Sequence, residues 1–121
     1  MGGAVVGGVE ERIRTALISS LAWAVSETND ETLWAKARDT TTSALLSYWR
    51  RGELHGTRAE EAFFVRCGHD TMTQDDIAVG RLVVEVGIAP VEPAEFVVFR
   101  VSQIVGGKRK PQSLRDRLFR R

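Results

Sequence analysis

The spacing of apolar residues changes period halfway along the chain, and that switch limits the folds open to it. Val9, Ile13, Leu17 and Leu21 recur every four positions, flanked by Ile18 and Val25, with Glu10, Glu11, Arg12 and Arg14 largely on other faces. A period near 3.6 is that of an amphipathic helix, here ending near Val25. Ser26 to Asp30 breaks the pattern, and Asn29 or Asp30 is placed to cap a second helix. Leu33, Trp34, Ala37, Ala44, Leu45, Tyr48 and Trp49 carry that helix to Arg51, where Gly52 is placed to close it in a left-handed conformation. Later in the chain the period drops to two. In Arg81 to Ala89, Leu82, Val84, Val86 and Ile88 share one face, and Val83, Glu85, Gly87 and Ala89 share the other.

Shorter signals fill the gaps. Thr57 with Glu60, and Thr73 with Asp76, stand three apart before apolar residues, a spacing that starts short helices. Phe63 to Cys67 is an apolar, β-branched run that reads as a strand, and Gly80 ends the second short helix. Pro90 and Pro93 remove main-chain donors and enforce a connection. Phe96 to Val101 then forms a last strand, with Val97, Phe99 and Val101 opposed to Phe96, Val98 and Arg100. Helices followed by strands imply an α+β fold. Two longer and two short helices pack on a small, mostly antiparallel sheet of about three strands with an open edge. At 121 residues the chain is one domain. Residues 1–8 read as a flexible glycine-rich lead, or the remnant of a cut between domains, 9–105 as the domain, and 106–121 as a basic tail.

The formal net charge of +1 hides an asymmetry: residues 1–107 carry 10 basic and 15 acidic side chains, whereas residues 108–121 carry 7 basic and 1 acidic. Lys108, Arg109, Lys110, Arg115, Arg117, Arg120 and Arg121 supply the tail's charge. Such a cluster is rewarded alike by nucleic acid, a membrane surface or an acidic protein face. Leu114, Leu118 and Phe119 interleave with the arginines, so the tail is expected to turn helical only against an acidic partner, eight residues being too few for a stable isolated helix. No apolar run approaches the roughly 20 residues that span a bilayer, and no secretion signal opens the chain. The single cysteine, Cys67, excludes an internal disulfide and fits cytoplasmic synthesis.

Reactive chemistry finds little support. Cys67, His69 and Asp70 place a thiol, an imidazole and a carboxylate within four residues, and strand geometry would turn Cys67 and His69 to one face. Zinc needs four convergent ligands, however, and neither a second cysteine nor His55 completes such a set. A buried structural cysteine is the favoured reading. Trp23, Trp34, Tyr48 and Trp49 suggest a stacking platform, but their helical spacing assigns them to the core. Paired acids near helix starts, Asp75 with Asp76 among them, suit the helix dipole. The glycine-rich start lacks the Gly-Lys-Ser/Thr of a phosphate loop. Neither an enzyme nor a bound cofactor or metal is expected.

Several ordered blocks resemble one family: Asn-Asp-Glu-Thr-Leu-Trp at 29–34, Tyr-Trp-Arg-Arg-Gly-Glu-Leu-His-Gly at 48–56 and Glu-Glu-Ala-Phe-Phe-Val-Arg-Cys at 60–67. They continue with Thr-Met-Thr-Gln-Asp-Asp-Ile at 71–77, Gly-Arg-Leu-Val-Val-Glu-Val-Gly-Ile-Ala-Pro-Val at 80–91 and Pro-Ala-Glu-Phe-Val-Val-Phe-Arg at 93–100. From about Trp23 to Gln103 the chain resembles the C-terminal domain of contractile tail sheath proteins of phage tails and related injection particles. The resemblance implies a structural subunit with no cofactor, whose partners are neighbouring sheath subunits, the inner tube and baseplate or cap proteins. It also implies exchange of terminal strands between neighbours. Family members are longer, so the chain reads as an excised domain, a gene fragment or a dedicated short component.

Phe96, Val97, Val98, Phe99, Arg100 and Val101 form the expected inter-subunit strand, because both faces of this strand carry apolar groups that demand cover. Gln74, Asp75 and Asp76 form the expected tube- or neighbour-facing helix, with both aspartates exposed. A small nucleic-acid-binding protein acting through the basic tail is the alternative of another class.

Overall fold

The computed structural model describes residues 8–92 and 94–106. Helix α1, Val9–Ser20, starts with Glu10 and Glu11 in its first turn and buries Val9, Ile13 and Leu17. Acidic residues there favour the positive end of the helix dipole, and Glu10 pairs with Arg14 one turn on at 2.9 Å. The helix stops earlier than its apolar stripe predicts. Ala22–Ser26 tightens into a 3-10 helix that buries Ala24 and leaves Trp23 and Val25 exposed. Helix α2, Glu31–Arg50, is capped by Asp30, whose Oδ1 accepts from the Leu33 amide at 3.0 Å. It closes before Gly52, whose φ of +83° is open to glycine at no steric cost.

Helix α3, Ala59–Ala62, runs directly into strand β1, Phe63–Arg66. The acid that fixes its start is Glu61, one residue later than the expected Glu60: its Oε1 accepts from the amides of Thr57 and Arg58. Helix α4, Gln74–Ala78, opens on the expected reciprocal pair. Thr73 Oγ1 accepts from the Asp76 amide at 3.0 Å, and Asp76 Oδ2 accepts from the Thr73 amide at 2.9 Å. Strands β2, Arg81–Ile88, and β3, Val97–Ile104, complete the fold. β3 runs three residues beyond its predicted end, and Pro93 lies outside the described residues.

The sheet is antiparallel in the order β1-β2-β3, with Phe63 opposite Ile88 and Val84 opposite Val101. Leu82, Val84, Val86, Ile88, Phe99 and Val101 point to one face, where α1 and α2 cover it with Ile13, Leu17, Leu33, Ala37 and Leu45. Each fully buried aliphatic side chain contributes about 1.5–3 kcal/mol. Trp34 joins this core at 4% exposure, and its Nε1 donates to Asn29 Oδ1 at 2.8 Å. Trp49 is only half-buried and donates to the Gly56 carbonyl. Trp23, at 37% exposure, does not belong to the core: the 3-10 geometry rotates it out of the α1 stripe.

Candidate functional site

β3 is an edge strand, and its ladder fixes which groups are left over. The Val105 amide donates to the Gly80 carbonyl at 2.7 Å, continuing the register in which Arg81 faces Ile104. Hydrogen-bonded and non-bonded pairs alternate in an antiparallel ladder. Val97, Phe99, Val101 and Gln103 therefore turn their main-chain groups toward β2, and Val98, Arg100, Ser102 and Ile104 turn theirs outward. The side chains divide in the same way. Phe99 and Val101 are buried under the helices, and Val97 is half-buried beside them. Phe96 (53% exposed), Val98 (51%) and Ile104 (48%) lie open to solvent. The described part of the chain leaves both this edge and much of the sheet's second face uncovered.

That second face is ordered. Phe64 lies over Gly87, where an added Cβ would run into the ring, and it stacks on Phe96 with ring centroids 6.0 Å apart. The Arg66 guanidinium sits over the Phe64 ring at 4.5 Å. Glu85 on the middle strand receives Arg66 from β1 at 3.1 Å and Arg100 from β3 at 3.2 Å. This cross-strand tie was not legible in advance, although the alternation places Glu85 on the face opposite the core.

Arg14 reaches the edge from the helical layer. Its Nη2 donates to Glu10 Oε2 at 2.9 Å, its Nη1 donates to the Arg100 carbonyl at 3.4 Å, and its Cζ stands 4.5 Å from the centre of the Phe99 ring. The Glu10–Arg14 spacing is visible in the sequence, but the contact across to residue 100 is not.

The α4 residues separate by role. Gln74 and Asp75 are exposed. Asp76, expected to be exposed, is turned inward, because Arg81 Nη1 donates to its Oδ1 at 2.6 Å while Thr73 uses the other oxygen. The Thr73 amide first, and then Arg81, hold the Asp76 carboxyl below its ordinary value of 3.8.

Cys67 is buried just past the end of β1, and burial pushes its thiol up to about 12, so it stays protonated at neutral pH. His69 turns away from it and meets the Trp34 ring edge-on at 5.1 Å. Strand geometry fails to bring Cys67 and His69 together because β1 ends at Arg66 and the chain turns at Gly68. The basic residues Lys108, Arg109, Lys110, Arg115, Arg117, Arg120 and Arg121 lie outside the described residues.

Chains in two solved assemblies share this arrangement of helices and sheet. One belongs to the six-fold symmetrised cryo-EM structure of the anti-feeding prophage baseplate, with a TM-score of 0.66 and 35% identity over 78% of this chain. The other belongs to the PVC sheath complex of an extracellular contractile injection system in its contracted state, with a TM-score of 0.65 and 33% identity, again over 78% of this chain. This chain is a contractile injection system sheath-like protein. It spans 27% of the length of each of those two chains. No protein-family model and no curated protein matches it.

In the sheath-like chain, the blocks that carry the resemblance make caps and turns. Asn29 accepts from Trp34 and donates to the Arg81 carbonyl at 3.3 Å, tying the start of α2 to the start of β2. Block 48–56 holds the Trp49–Gly56 bond, and block 71–77 holds the Thr73–Asp76 pair.

Proposed function

We propose that this sheath-like chain is a structural subunit or component of a contractile tail or injection particle. A neighbouring subunit adds a strand along the outward side of β3, and the chain surrounds an inner tube, in contact with baseplate or cap proteins where the sheath ends. One observation supports this most: β3 is an edge strand whose outward groups belong to Val98, Arg100, Ser102 and Ile104. Strand addition takes affinity from main-chain bonds and register from alternate side chains. A one-residue slip would carry Arg100 into the face now held by Phe99 and Val101.

Gln74 and Asp75 are assigned to the tube- or neighbour-facing contact. Asp76 supports them from within, because its oxygens are spent on Thr73 and Arg81. The basic tail is assigned to an acidic face of a partner. Co-assembly with the tube and sheath proteins of a contractile injection system tests the reading, with ordered particles scored by electron microscopy. Incorporation of a tagged chain into tubular assemblies is expected; particles that form without it at every ratio refute the assignment. Asp75→Arg is expected to weaken co-sedimentation with the tube, and unchanged sedimentation removes α4 from the contact.

A further inference from the structure

We infer that Arg14 is a built-in guard of the β3 edge, covering a carbonyl that an incoming strand has to take. The inference rests on the strand-addition reading of β3 and adds to it a regulation of that same edge.

The Arg100 carbonyl is midway along the outward groups of β3, so a continuous added ladder includes it. Arg14 Nη1 already donates to that carbonyl from α1, an element 86 residues away in sequence. Two further contacts hold the guanidinium there: the ion pair with Glu10 at 2.9 Å and the face of Phe99 at 4.5 Å. A long cationic side chain lying against an open edge is a recognised obstacle to edge pairing. The obstacle is removable, because the bond is long at 3.4 Å and the Arg14 side chain is 35% exposed. An arriving strand offers an amide to the Arg100 carbonyl and releases Arg14, which keeps Glu10 as its partner.

The opposite edge carries a comparable feature. Arg38 Nη1 donates to the Cys67 carbonyl at 2.7 Å, one residue past β1. That contact is shorter, so the two edges differ in how readily they open, with β3 the easier.

The consequence is measurable in the full chain by sedimentation equilibrium, which reads association of two copies along β3. Arg14→Gln is expected to associate about tenfold more tightly than the parent, the size of one charge-assisted contact released. Glu10→Gln, which loosens the anchor and leaves Arg14 in place, is expected to give a smaller rise in the same direction. Val98→Pro, which blocks an outward amide, is expected to weaken association roughly 5- to 150-fold in the parent and in both variants. Unchanged association in Arg14→Gln and Glu10→Gln, with Val98→Pro still suppressing it, overturns the guard and leaves strand addition standing. Association undiminished by Val98→Pro, or absent from every variant, overturns both. Circular dichroism of each variant establishes that it is folded, and Glu10→Gln decides the question if Arg14→Gln is not.

Discussion

Proline at position 98 separates the fold of the monomer from its edge chemistry. Val98 is about half-exposed, and its amide points away from β2, so proline there deletes no bond of the existing ladder. The lost apolar cover is small, and the restricted unfolded chain returns about 0.4–1 kcal/mol, which leaves monomer stability within about 1 kcal/mol of the parent. Val97 is the control. Its amide faces Ile88, so Val97→Pro removes a ladder bond and strands a carbonyl between strands, at a cost of about 1–3 kcal/mol. In a domain of this size, each kcal/mol lowers Tm by roughly 4–8 °C. On the assembly side, Val98→Pro removes one donor and displaces the partner strand with its ring. Losing two edge bonds costs about 1–3 kcal/mol, or roughly 5- to 150-fold in association. Thermal unfolding and electron microscopy of co-assembled particles read the two effects. Equal Tm losses for Val97→Pro and Val98→Pro would refute the assignment of outward groups; undiminished assembly of Val98→Pro would refute strand addition at β3.

Trp34→Ala should cost about 3–5 kcal/mol and Trp49→Ala clearly less, since only Trp34 is enclosed; matching melting temperatures would refute this ordering. Gly87→Ala should push the Phe64 ring off the sheet and break its stack on Phe96, at a cost of about 1 kcal/mol because the ring can swing. Ring proton shifts of Phe64 that stay unchanged would contradict it. Asp76 has its carboxyl held down in the folded state, so its contribution is fully present above its ordinary value of 3.8 and is lost as pH falls through the folded value. Denaturant midpoints of Asp76→Asn should therefore change less than the parent's below pH 3.8.

The signals that survived translation into three dimensions are local ones. Asp30, Gly52 and Thr73 act within one turn of themselves, and the alternation of β2 reports its own two faces. Where a distant partner decides the outcome, the sequence reads differently. β3 continues through Ser102 and Gln103, where Gln103 Nε2 donates at 2.9 Å to the Leu21 carbonyl that also accepts from the Ala24 amide, so a polar residue ties the end of the strand to the turn after α1. Trp23 and Val25 continue an apolar pattern, yet the chain has tightened beneath them and they face solvent. Phe96 to Val101 was legible as a two-sided apolar strand of a sheet with an open edge; its actual span, Val97–Ile104, was not. Arg14 was visible only as one member of a helical ion pair.

The tie at Glu85 affects how the sheet bears load. A pull on β3 along its axis meets a ladder running from Arg81 opposite Ile104 to Ile88 opposite Val97, with its bonds perpendicular to the force and strained all together. A pull away from the sheet meets the same bonds one after another. Glu85 holds Arg100 of the edge strand and Arg66 of the far strand at once, so tension entering at β3 passes across the middle strand to β1 and the helices behind it. The small sheet is therefore stiff in shear and weak in peel. A neighbour joined along β3 would transmit force best by pulling lengthwise.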